Sequence, residues 1–145
     1  MELFDAVLVE AVKEAYLSKQ NNNLHQISFL HLEVVEALKP LGFNFKIEKR
    51  LFGLDIDVLF YEADGSVAVG ALEIHGYQHF LRNTQTITGD SFLKQKIMER
   101  IMGSDNYFVV EIFNWEIIAK ENRTTFLADL LRGFGKRMAK DKPNN

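Results

Sequence analysis

The chemistry-bearing residues of this chain crowd into residues 71–80, ALEIHGYQHF, and the stretch LRNTQTITGDSFLKQK that follows. In a strand, side chains alternate between faces, so Glu73 and His75 share one face about 6–7 Å apart while Leu72 and Ile74 take the other. Gly76 lets the backbone turn or approach a ligand closely, and His79 returns three residues later beside Phe80. A carboxylate and two imidazoles at the mouth of one strand are an acid/base or ligand pair in prospect, since imidazole titrates near neutral pH. Taken singly, each histidine reads better as a hydrogen-bonded core residue. His25 and His31 stand apart in the sequence, and nothing about them suggests a role.

A second carboxylate joins Glu73 if the two preceding segments form a hairpin. Leu54, Ile56, Val58 and Phe60 define one face of a strand, with Asp55 and Asp57 on the other. Glu62-Ala63-Asp64-Gly65 is a turn, with Asp-Gly its strongest signal. Folding there sets Tyr61 opposite Ala68 and Asp57 opposite Glu73 or a near neighbour. Two carboxylates on adjacent strands bind a divalent ion through oxygen, the layout of a phosphodiesterase. The competing reading is an ion pair of these acids with Lys94 or Lys96 that fastens the sheet to its helix.

The remaining elements position this centre. Phe4, Val7, Leu8, Ala11, Val12 and Ala15 predict an amphipathic helix over residues 3–18, ended by the Asn-rich run at 19–23. A second helix is expected from Ser28, as its cap, to Leu38, stopped by Pro40 and Gly42, with Glu33 and Glu36 three apart on it. From Phe43 the period changes to two, predicting a strand with one wet face at or near a sheet edge, then a turn at Gly53. The third strand, 67–75, is apolar on both faces until Glu73, as in a sheet centre, where an acid is costly unless paired or metal-bound. Asp90 or Ser91 is expected to cap a helix to Met102, with Phe92, Leu93, Ile97 and Ile101 at helical spacing and Lys94, Lys96 and Arg100 elsewhere around it. A fourth strand over 107–113 ends at Asn114-Trp115, and a last helix from Thr124 turns Leu127, Leu130, Leu131, Phe134 and Met138 inward, with Arg132, Lys136 and Lys140 as an outer stripe. The order α-α-β-β-β-α-β-α gives an α/β sandwich around a mixed four-stranded sheet.

At 145 residues this is one domain: N-terminal helices at 1–42, a core at 43–115, and a C-terminal helix and tail at 116–145. The absence of cysteine excludes disulfides, thiolate metal sites and a cysteine nucleophile, leaving His, Asp and Glu as ligands. A formal charge of −3 excludes a wholly basic coat, so a polyanion would be met by a local patch. No apolar run reaches the roughly 18–20 residues that cross a bilayer, so no membrane partner is expected, and the first residues resemble neither a signal nor a transit peptide.

Asp57-Val58, Glu73-Ile74-His75-Gly76-x-x-His79-Phe80, Arg82-Asn83, Thr88-Gly89, Phe92-Leu93-Lys94-x-Lys96-Ile97-Met98, Val109-Val110-x-Ile112 and Trp115 together resemble the RAP domain. That module is abundant in apicomplexan parasites and ends the mitochondrial FAST-kinase-domain proteins. The family is in turn similar to the restriction-endonuclease-like superfamily, including the very-short-patch repair enzymes. The resemblance implies a restriction-endonuclease-like sandwich and an RNA-binding role in mitochondrial RNA processing, stability or ribosome assembly, with single-stranded or ribosomal RNA and organellar RNA-processing or ribosomal proteins as partners. It places Asp57 and Glu73 where the nuclease ligands for Mg²⁺ or Mn²⁺ sit, with His75, His79 and Lys94 as further catalytic candidates, and lets Glu36 match an acid on the first helix of some of those enzymes. Position 75 departs from the nuclease pattern, holding His where that pattern has Lys, and Lys94 is the candidate to reach the same place. RNA contacts are expected from Tyr77, Arg82, Asn83, Lys94, Lys96, Arg100, Arg132 and Lys136. The alternatives are a metal-dependent endoribonuclease using Asp57 and Glu73, and a degenerate nuclease fold serving protein interaction.

Overall fold

A computed structural model describes residues 24–82 and 84–140. The helix expected over 3–18 lies outside them. A four-stranded mixed sheet in the order β1-β2-β3-β4 is built from β1 (Phe45–Leu51), β2 (Leu54–Tyr61), β3 (Ala68–His75) and β4 (Tyr107–Glu111). The first three are antiparallel neighbours, and β4 lies parallel to β3. Helices cover both faces, as an α/β sandwich requires to bury a sheet on both sides. α1 (Leu24–Leu38) packs on one face, and so does the chain that follows β4: α3 (Ile112–Glu116), α4 (Arg123–Leu130) and α5 (Arg132–Lys140). Their shared core joins Leu30, Val34 and Leu38 to Val58, Phe60, Leu72, Ile74, Trp115, Leu127, Leu131 and Phe134. On the other face, Met98 of α2 (Gly89–Met102) packs with Ile56, Leu59, Ala71 and Tyr107. None of the helices described is long and apolar enough to cross a membrane.

The hairpins follow the turn chemistry. Phe52 and Gly53 both have positive φ (51° and 77°) between the paired Leu51 and Leu54, the two-residue turn whose twist matches that of the strands. Tyr61 pairs with Ala68 as expected, and Asn44 Nδ2 donates to the Glu62 carbonyl in the second hairpin. β1 is the sheet edge that its alternating wet face predicts.

Four boundaries differ from the sequence reading. Ser28 lies within α1, four residues past its first described residue, rather than at its start. The helix does stop at Leu38, passing through a 3-10 turn that contains Pro40 to a left-handed Gly42 (φ 76°). The cap of α2 is Thr88, whose hydroxyl accepts from the Ser91 amide, rather than Asp90 or Ser91. β4 ends at Glu111, because Ile112 and Trp115 turn into the core at helical rather than strand spacing. The last helix is two, broken at Leu131, yet Leu127, Leu131 and Phe134 are buried as expected.

Candidate functional site

The antiparallel ladder of β2 and β3 runs as far as Val58 opposite Leu72, so Asp57 and Glu73 are the next residues in register. There the ladder gives way to a side chain: Asp57 Oδ2 accepts the Ile74 amide at 2.8 Å. The local backbone explains why it can. Ile56 and Leu59, three apart, lie on the same side of the sheet, so strict alternation lapses around Asp57. On β1 the residue flanked by the Ile47–Val58 and Lys49–Ile56 pairs is Glu48, held at a φ of 54°, which non-glycine residues seldom adopt. Both strands are kinked at this level, and Asp57 turns into the sheet plane beyond the end of the β2–β3 ladder.

Glu73 is 1% exposed, in the central strand. Lys94, reaching in from α2, sets its ammonium 3.2 Å from Oε1 and 3.3 Å from Oε2, and also donates to the Asp55 carbonyl of β2. The expected contact between this acid and the helix therefore exists, with Lys94 and not Lys96 as the partner. Burial pushes the Glu73 carboxyl up to about 9, helped by the charge of Asp57 and a hydrogen bond with it, and opposed by Lys94. Desolvation outweighs one ammonium at these distances, so Glu73 holds a proton at neutral pH.

His75 ends β3, and His79 follows in the turn after it. His75 is 3% exposed and stacks on His79 with ring centroids 4.5 Å apart. Burial, then the His79 charge, hold His75 down to about 4 in spite of Asp57; burial likewise lowers His79. Both rings are neutral at pH 7, as proton acceptors must be. His79 Nδ1 lies 2.8 Å from the Ser91 hydroxyl, whereas His75 Nδ1 is buried with no hydrogen-bond partner among the described residues.

His31, to which the sequence assigned no role, belongs to this site. From α1 its Nδ1 stands 3.2 Å from Glu48 Oε1 and its Nε2 3.8 Å from Asp57 Oδ1. Burial lowers its affinity for a proton, but the hydrogen bond to Glu48 and the charges of Asp57 and Glu48 prevail and raise it. One donor atom from each of His31, Glu48 and Asp57 lies within 4.8 Å of the others, so this group can hold a metal ion. Glu36, the acid that the resemblance offers on this helix, is exposed and pairs with Lys39 instead, while Glu33 receives the Trp115 indole N–H and the Arg123 guanidinium. Spacing could not single out His31 or Glu48, because what joins them is the crossing of α1 over a kinked sheet edge.

Asp57, Glu73, His75, His79 and Lys94 are thus brought together. Tyr77 stands at the rim, 41% exposed, its hydroxyl donating to Glu116, and Arg82 is exposed in the loop beyond; Asn83 lies outside the described residues. Phe80 and Trp115 are core. Lys96 and Arg100 lie on the exposed side of α2, Lys96 over the Phe92 ring and 3.5 Å from Glu99. Arg132 pairs with Asp129 three residues before it, and Lys136 is exposed on α5. That helix is fastened at the opposite end of β4 from the site, where Arg137 bonds Asn106 just before the strand begins. The last-helix cations are therefore not part of the Asp57–Glu73 cluster.

No protein-family model, no curated protein and no solved structure matches the chain.

Proposed function

We propose that this chain is an RNA-binding domain of restriction-endonuclease-like fold, of the RAP kind, serving organellar (mitochondrial) RNA processing, stability or ribosome assembly. The observation that carries the reading is the gathering of Asp57, Glu73, His75, His79 and Lys94 at one end of the sheet, from β2, β3, the following turn and α2. A structural ion pair needs two groups, and Glu73 with Lys94 would suffice. Two neutral stacked histidines and a second carboxylate beside that pair exceed what holding the helix requires, and they lie where β3 ends, the usual site position in sheets with parallel strands. Lys94, with Arg82 and the outer cations Lys96 and Arg100, supplies phosphate contacts, and exposed Tyr77 a stacking surface.

One observation favours cleavage as well as binding. The ammonium absent at position 75 is restored from α2, where Lys94 meets both Glu73 oxygens. A divalent ion such as Mg²⁺ or Mn²⁺ would stabilise charge on a scissile phosphate there. The chain's own part is to orient that phosphate with Lys94 and to accept a proton on a neutral imidazole of His79 or His75.

The test is affinity for single-stranded RNA as a function of salt, by fluorescence anisotropy in chelator, followed by incubation with Mg²⁺ or Mn²⁺. Affinity should fall linearly on a log–log plot, and removing Lys96 and Arg100 should flatten the slope by roughly one unit per lost contact. Binding without turnover identifies an RNA binder. Metal-dependent turnover that falls far more than affinity does in Lys94→Ala identifies an endoribonuclease. No salt-dependent affinity even at low ionic strength refutes both and leaves the fold to protein interaction.

A further inference from the structure

We infer that the divalent ion of this site is held by His31, Asp57 and Glu48, with Glu73 excluded, and that it is a borderline first-row ion in the range Mn²⁺ to Zn²⁺ rather than Mg²⁺. The inference deepens the functional reading above and rests on it only in taking this end of the sheet as the working site.

Three features argue for this ligand set over the pair Asp57 and Glu73. First, Glu73 is already engaged, with the Lys94 ammonium at 3.2 and 3.3 Å from its two oxygens. A dication on Glu73 would stand beside that fixed positive charge, in the chain's interior where repulsion is least screened. Second, Asp57 uses Oδ2 for the Ile74 amide and leaves Oδ1 turned to His31, 3.8 Å from Nε2. That separation is too long for a hydrogen bond. It does suit two donors sharing one ion, which at about 2.1 Å each stand roughly 3–4 Å apart. Third, Glu48 brings a second carboxylate within 4.8 Å from the sheet edge, and its side chain is 62% exposed, so it can exchange its 3.2 Å contact with His31 Nδ1 for the ion without unpacking the core. Two carboxylates neutralise a dication, and the remaining positions stay open to water or a phosphate oxygen.

The nitrogen donor decides the class of ion. Mg²⁺ demands oxygen and sheds its waters reluctantly, whereas imidazole with carboxylates suits manganese, iron, cobalt and zinc. A ligand set drawn from α1, β1 and β2 also makes the ion a clamp between the helix and the sheet edge.

Calorimetric titration of the metal-free chain with MnCl₂, ZnCl₂ and MgCl₂, with no RNA present, tests this. One equivalent of Mn²⁺ or Zn²⁺ should bind at least tenfold more tightly than Mg²⁺. His31→Gln should weaken that binding tenfold or more and Glu48→Gln by a smaller factor, while Glu73→Gln stays within about threefold of the parent. Glu48 is exposed, so Glu48→Gln reports on the site even if His31→Gln fails to fold. Binding that is lost in Glu73→Gln and kept in Glu48→Gln overturns the assignment, as does equal affinity for Mg²⁺ or no one-equivalent binding of any of the three. Because RNA takes no part, loss of RNA affinity refutes the function alone, and loss of metal binding refutes this inference alone.

Discussion

Replacing Glu73 by glutamine tests the protonation of the buried acid directly. An unfolded glutamate titrates near 4.5, and burial raises the folded one to about 9. A folded-state pKa above the unfolded value means that the native chain binds more protons between them, so stability falls as pH rises through that window. The slope is about 1.4 kcal/mol per pH unit for one proton. His75 works the other way: held down to about 4 against 6.5 unfolded, it makes stability rise with pH between those values. The Glu73 and His75 slopes oppose each other from about pH 4.5 to 6.5, where lowered His79 acts with His75, and above 6.5 the Glu73 slope stands exposed, with His31, whose proton affinity is raised, adding to it at first. Urea unfolding from pH 5 to 9 at constant ionic strength, with chelator, should therefore show stability level or rising to about 6.5 and then declining by roughly 3 kcal/mol to pH 9. In a chain of this size that is roughly 3–6 °C in Tm per pH unit. Glu73→Gln, a neutral stand-in for the protonated acid, should remove most of the decline and exceed the parent in stability at pH 8. If the parent instead gains stability above pH 6.5, or Glu73→Gln costs about 3–5 kcal/mol, then Glu73 and Lys94 form an ionised buried pair and the reasoning fails.

Two further outcomes test the frame that holds the site. A Cβ at Gly70 would stand 2.8 Å from the Phe134 ring and 3.0 Å from the Asn106 carbonyl, so Gly70→Ala should destabilise by about 1–3 kcal/mol in thermal or urea unfolding, with metal binding unchanged in the folded fraction. Glu33→Ala removes the partner of the buried Trp115 indole N–H and of Arg123, and should cost about 1–3 kcal/mol while leaving RNA affinity unaltered.

Much of this architecture is legible because it rests on local rules. The alternation of β1 and β2, the Asp64-Gly65 hairpin and the apolar run of β3 fix the sheet and set Asp57 next to Glu73 in register, since a hairpin's register follows from its turn. Lys94 is legible as a partner of the buried acid, because one strand and one helix suffice to bring them together. The unread part is non-local. His31 and Glu48 meet only because α1 crosses the edge strand where Glu48 and Asp57 are kinked, and neither the crossing nor the left-handed φ of Glu48 leaves a mark in periodicity.

The helix α2 shows how a correct pattern can point the wrong way. Phe92, Leu93, Ile97 and Ile101 do recur at helical spacing, yet they are 50, 60, 38 and 40% exposed, while Lys94 and Met98 face the sheet. An amphipathic helix ordinarily turns its apolar stripe inward. Here the sheet beneath carries a buried acid at one end and an apolar patch of Ile56, Leu59, Ala71 and Tyr107 at the other. The face that answers both is the one with lysine and methionine four residues, about one turn, apart. Leaving Glu73 buried without a hydrogen-bonding partner costs several kcal/mol, more than the roughly 1.5–3 kcal/mol returned by burying one further leucine. The rotation of α2 is therefore set by the same buried carboxyl that organises the site.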